Sequence, residues 1–109
     1  MNDTVVIDLD DHRTGNTPVL SGRQRGKEVR RSTRLDSEDE SAQKIVVRVP
    51  DDVYLVASSF FLGMLGPSVR KLGETGFLER FDFEGPINEA VIKDVVREVI
   101  RRNRTLQPS

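Results

Sequence analysis

Apolar residues are sparse before residue 44 and dense after it, and all five phenylalanines and the single tyrosine fall between Tyr54 and Phe83. The main core is therefore expected over residues 44–104. Residues 45–49, Ile-Val-Val-Arg-Val, are a β-branched run closed by Pro50-Asp51-Asp52, the composition of a mostly buried central strand ending in a turn. Residues 53–56 continue extended, and then the period changes. Phe61, Leu65, Val69 and Leu72 recur at helical spacing, with Phe60 and Met64 widening the stripe. This predicts a helix over residues 59–72, opened by a serine cap and stopped by Gly73, with a kink at Pro67. Gly63 and Gly66 in its interior would let a strand approach closely. Residues 77–83 suit a half-covered strand with Phe81 and Phe83 on one side. Beyond Gly85-Pro86, Val91, Val95 and Val99 form one stripe and Ile92, Val96 and Ile100 a second, an amphipathic helix over residues 87–104.

Upstream, residues 4–9 alternate as a strand with Val5, Ile7 and Leu9 on one side, and turns follow at 10–12 and 15–18. Residues 23–35 can form a surface helix whose interior holds Val29 as its only apolar residue. Residues 36–43 read as an acidic, solvated loop, and 105–109 as a flexible tail. The fold class expected is α/β, one domain over residues 1–109, with a mixed β-sheet and amphipathic helices packed on it. Strand 45–49 is its centre, and helix 59–72 crosses to a strand near Phe81.

A chain of 109 residues supports one modest core and excludes a large multi-domain enzyme. No run approaches the roughly 20 apolar residues of a membrane span, so no membrane partner is expected. The absence of cysteine excludes disulfides and thiol chemistry, and Met1-Asn2-Asp3 lacks the pattern of a secretory leader, which together place the chain in a reducing cytoplasm. Seventeen basic and eighteen acidic residues give a net charge of -1, which argues against a chain built mainly to hold a polyphosphate backbone.

Candidate chemistry is thin. Asp8, Asp10, Asp11 and His12 are metal-ligand types close in sequence, but a strand end with an acidic turn gives the same string and no second cluster completes a shell. Ser58-Ser59 lacks the flanking glycines of a nucleophile elbow, and the one histidine is distant in sequence. No Gly-rich turn ends in Lys-Ser or Lys-Thr, so no nucleotide site is readable. Neither catalysis nor a cofactor or metal is expected. The basic patch of Arg23, Arg25, Lys27, Arg30 and Arg31 could meet nucleic acid or an acidic surface. It has no aromatic residue for stacking, and the acidic run Asp36, Glu38, Asp39 and Glu40 follows it, so a solvated, partly self-neutralised face is the expectation. A nucleic-acid-associated regulator using residues 23–34 is the alternative function.

The stretch from Val46 to Phe61, VVRVPDDVYLVASSFF, sets an apolar strand, a short turn, a second apolar stretch and serines that open a helix. It resembles the STAS fold of anti-sigma-factor antagonists, and more closely the STAS-like domains of unknown function. Those run from a Ser-Arg-x-x-Gly-x-x-x-Arg-like segment, here Ser21 to Arg30, through a strand to a Ser-Phe helix start, here Ser59-Phe60, and a final amphipathic helix. The resemblance implies a small domain that acts without catalysis by binding another protein, a kinase-like ATPase being the partner class of the antagonists. It implies Ser58 and Ser59 as phosphoacceptor or contact candidates, with Ala57, Phe60 and Phe61 on the partner surface. The chain departs from the antagonist pattern at Ala57, where an acidic residue is usual, at Phe60, where glycine is, and at Val49, where the strand carries Asp.

Overall fold

A computed structural model of the chain describes residues 4–13, 15, 17–41 and 44–106. In chain order these form β1 (Thr4–Asp8), a single 3-10 turn (Leu9–His12), β2 (Val19–Leu20), α1 (Arg23–Thr33), α2 (Leu35–Ser41), β3 (Lys44–Arg48), β4 (Leu55–Val56), α3 (Ser58–Arg80), β5 (Phe81–Glu84) and α4 (Glu89–Leu106). The α/β class and the central position of the 45–49 strand are as the pattern predicts, in the order β1-β3-β5. The described pairings are parallel throughout, not mixed, with Val5 opposite Ile45, Ile45 opposite Phe81, Ile7 opposite Val47 and Val47 opposite Phe83.

That register sends two sets of side chains to opposite faces. Ile7, Ile45, Val47 and Phe81 are buried under the helices, with Val5 and Phe83 partly buried beside them. The opposite face carries a half-exposed Val6 and two exposed cross-strand ion pairs, Lys44 to Asp82 at 3.5 Å and Arg48 to Glu84 at 3.3 Å. The β-branched run at 45–47 is thus buried on one face rather than on both.

The helices form one layer in which α3 packs against α1 on one side and α4 on the other. On α4, Ile92, Val95, Val96 and Val99 are buried, and Asn88 Oδ1 accepts the Ala90 N–H at 2.9 Å to cap the helix start. The core is not confined to residues 44–104. Ile7, Leu9, Leu20, Val29 and Leu35 are all buried, so the polar first half is fastened by a few well-spaced apolar residues.

Several local expectations are corrected. Helix α3 does not end at residue 72: Gly73, at φ 76° and ψ 172°, breaks its geometry, and a second helical segment runs on to Arg80. Residues 77–80, predicted as strand, are therefore helical. Their alternation was ambiguous because Phe77 and Phe81, four apart, also lie on one side of a helix; the two rings stack at 4.6 Å. The break lies at Gly73 and not at Pro67, which the helix accommodates. The acidic loop is instead helix α2 as far as Ser41, because Leu35 buries itself fully at its start and Arg34 turns left-handed (φ 58°) to close α1 before it. Ala42 and Gln43 lie outside the described residues. Of the proposed tail, residues 105 and 106 belong to α4, and 107–109 lie outside the described residues.

The interior glycines of α3 serve helix packing rather than contact with a strand. An added Cβ at Gly63 would sit 2.0 Å from the Arg23 carbonyl oxygen, and one at Gly26 of α1 would sit 2.0 Å from the Phe60 carbonyl oxygen. Each helix thus presses its backbone against the bare Cα of the other. Among the described residues no helix is long and apolar enough to cross a membrane.

Candidate functional site

Two strands of two residues each are too short to be stable alone, yet they decide where α1 and α3 begin. Val19 pairs with Leu55 and Leu20 with Val56, in parallel. The Tyr54 N–H donates to the Pro18 carbonyl at 3.0 Å, and the Ala57 N–H donates to the Leu20 carbonyl at 2.8 Å. Each chain segment then enters its helix at once, so the first turns of α1 and α3 lie side by side. The Gly22 N–H donates to Ser59 Oγ at 3.1 Å and ties the two starts together.

This geometry separates the five candidates at residues 57–61. Ser58 was expected to cap the helix. The N-cap is instead Ala57, which has no side-chain acceptor, and Ser58 is the first helical residue with its side chain exposed. Ser59 is half-buried and its hydroxyl is the acceptor of the tie to Gly22. Ala57 is half-buried. Phe60 and Phe61 are only 1% and 0% exposed and meet edge to face at 5.8 Å, so they are core and not partner surface. The helical stripe that predicts burial for Phe61 extends to Phe60, and it overrides their place beside the serines. The exposed apolar groups at this corner are Tyr54, 75% exposed, and Leu55, 47% exposed. Their uniformly apolar run, Val53-Tyr54-Leu55-Val56, gave no alternation from which to read this. A difference between the two serines follows. Ser59→Ala is expected to lower stability by about 1 kcal/mol through loss of the tie. Ser58→Ala should leave it within about 0.5 kcal/mol, since no cap is lost. Thermal melts of the two variants check this.

The basic patch also divides. Arg30 is not part of a solvated face: its side chain is 6% exposed, and it reaches Asp36 at 2.7 Å, the Met64 carbonyl at 2.9 Å and Ser68 Oγ at 2.8 Å. The expected pairing of the basic and acidic runs is seen in this contact. Arg25 is exposed beside a hollow of about 170 Å³ lined by Thr17, Val19, Leu20 and Ser21. Arg31 is exposed. Arg23 and Lys27, also exposed, stand one helical turn apart on the side of α1 that faces the outer surface of α3.

At the carboxyl ends of β1, β3 and β5, where open α/β sheets commonly place ligands, lies a hollow of about 400 Å³ bordered by Asp8, Asp10, Arg13, Arg48, Asp52 and Glu84. Its charges are largely committed to one another. Asp8 Oδ1 accepts the Asp10 N–H at 3.0 Å as the cap of the 3-10 turn. Arg13 donates to Asp10 at 2.8 Å, Asp52 at 2.9 Å and the Thr17 carbonyl at 3.1 Å. The bond to Asp52, aided by the one to Asp10, raises the Arg13 pKa against the opposing effect of desolvation. Among the described residues no group of three or more His, Cys, Asp or Glu is placed to hold a metal ion.

No protein-family model matches the chain, and no curated protein or solved structure matches it.

Proposed function

We propose that this domain is a non-enzymatic regulatory or adaptor module that docks on a partner protein through the corner formed by Tyr54, Leu55 and Ser58. The resemblance to STAS-like domains supports this reading, and a kinase-like ATPase is the partner class it suggests. The observation that carries it is the exposed Ser58 hydroxyl at the start of an α3 that has no side-chain cap, with the exposed Tyr54 and Leu55 just before it in the chain. A Tyr with an apolar neighbour, held on paired strands, is the kind of anchor that dominates protein interfaces. Phosphate on Ser58 would meet free N–H groups and the favourable end of the helix dipole, so the fold would tolerate it. It would also add a charge of about -2 beside the apolar corner and oppose docking there.

The test begins with a pull-down from the native cell to identify the partner, followed by titration of variants. Ser58→Asp is expected to melt like the parent but bind the partner at least about tenfold more weakly, as does Tyr54→Ala. Undiminished binding by both variants would remove the corner from the interface.

A further inference from the structure

We propose that the groove on the outer side of the helix layer, between α1 and α4, binds an acidic amphipathic segment of a protein partner in helical form. This rests on the partner-binding reading above but assigns a different surface. The groove has a volume of about 440 Å³ and a floor of Leu62, Pro67 and Val99. Arg23 and Lys27 of α1 and Arg70 of α3 stand around it, all exposed and without an ion pair to any described residue. The other two cations at its border are already matched. Arg30 is paired with Asp36, and Arg102 donates to Glu98 at 2.8 Å. That bond, with the one from Arg101, holds the Glu98 carboxyl below its usual pKa.

Three positive charges with no ion pair to a described residue thus stand around an apolar strip, in a chain whose net charge is -1. The pattern specifies its complement: apolar side chains to cover the strip, with carboxylates on both flanks to meet the cations. An amphipathic helix with apolar residues at i and i+4 and Asp or Glu on either side supplies both, the helix-in-groove mode of recognition. A nucleic-acid backbone supplies only the charge. It would leave the apolar floor uncovered, and the groove lining holds no aromatic ring on which a base could stack. The close backbone approaches of Gly26 to Phe60 and of Gly63 to Arg23 fix α1 against α3, so the Arg23–Lys27 wall and the floor are held at one spacing.

The experiment pans a displayed library of random helix-length peptides on the whole chain and measures the enriched sequences as synthetic peptides. The expected winners carry excess Asp and Glu around apolar residues at i, i+4 spacing. Their affinity should fall at least about tenfold in the double variant Lys27→Glu, Arg70→Glu, through loss of the charge complement. Both side chains are exposed and have no ion pair to a described residue, so melting should not change. Replacing the peptide's apolar residues by serine should also abolish binding, and Ser58→Asp should leave it intact. Neutral or basic winners, no enrichment, or affinity unmoved by the double variant would overturn the proposal. So would a short DNA duplex that binds, and is lost on the same charge reversal, while no acidic peptide is enriched. Peptides lost in Ser58→Asp but retained in the double variant would remove the groove and leave the Tyr54–Ser58 corner standing.

Discussion

Gly26→Ala and Gly63→Ala should each destabilise the protein by about 2–3 kcal/mol, lowering the melting temperature by roughly 10–20 °C for a domain of this size. Two effects of opposite sign compete. Alanine is the better helix former by about 1 kcal/mol, which favours the variants. Against it, the new Cβ would lie 2.0 Å from a backbone carbonyl oxygen of the other helix, Phe60 in one case and Arg23 in the other. No rotamer change moves a backbone oxygen, so α1 and α3 must separate and the Phe60, Met64 and Val29 packing loosens with them. The clash wins. Two other α3 glycines, Gly66 and Gly76, provide the contrast. A Cβ at Gly66 has its nearest neighbour at 3.7 Å and one at Gly76 at 3.4 Å, both ordinary contacts. Gly66→Ala and Gly76→Ala should therefore keep the helix-propensity gain and stabilise by up to about 1 kcal/mol. A Gly26→Ala protein that melts as high as Gly66→Ala would show that the helix crossing is not tight.

The sequence was most legible where one period dominated. The β-branched strand at 45–49 and the double stripe of the last helix are read correctly because nothing competes with their spacing. Gly73 also marks a true break, since only its backbone adopts the positive φ found there at no steric cost. Legibility fails where one residue has two uses. Phe77 and Phe81 satisfy a strand and a helix alike, and Leu35, a single apolar residue before an acidic run, carries too little pattern to announce that it anchors α2. The candidate site fails differently. Its residues 57–61 are found at one junction, but the exposed and buried members could be separated only once β2 and β4 had placed the two helix starts together, a pairing across 36 residues of register (Val19 with Leu55) that no local signal encodes. Charge was the least readable property. Five neighbouring cations that look equivalent along the chain become a buried tether, two members of a groove wall and two further exposed side chains.

Arg30 is that tether, and Arg30→Ala should cost about 3 kcal/mol, seen as a lower urea midpoint at unchanged slope. Its guanidinium joins three helices: Asp36 of α2 through two nitrogens, and the Met64 carbonyl and Ser68 Oγ of α3 through a third. Two contributions are separable. The ion pair is weak in itself, because Asp36 is 81% exposed and water screens it, so Asp36→Asn should cost no more than about 1 kcal/mol. The larger part lies in the bonds that the buried guanidinium donates to Met64 and Ser68, together with the packing of its stem between α1 and α3. Arg30→Lys keeps the charge but not the planar fork, cannot reach Asp36 and α3 at once, and should fall between the two. The order Ala, Lys, then Asp36→Asn in decreasing cost is the expected result. Equal losses for Arg30→Ala and Asp36→Asn would instead place the stabilisation in the ion pair, and Arg30 would be a surface residue with a partner rather than a buried joint.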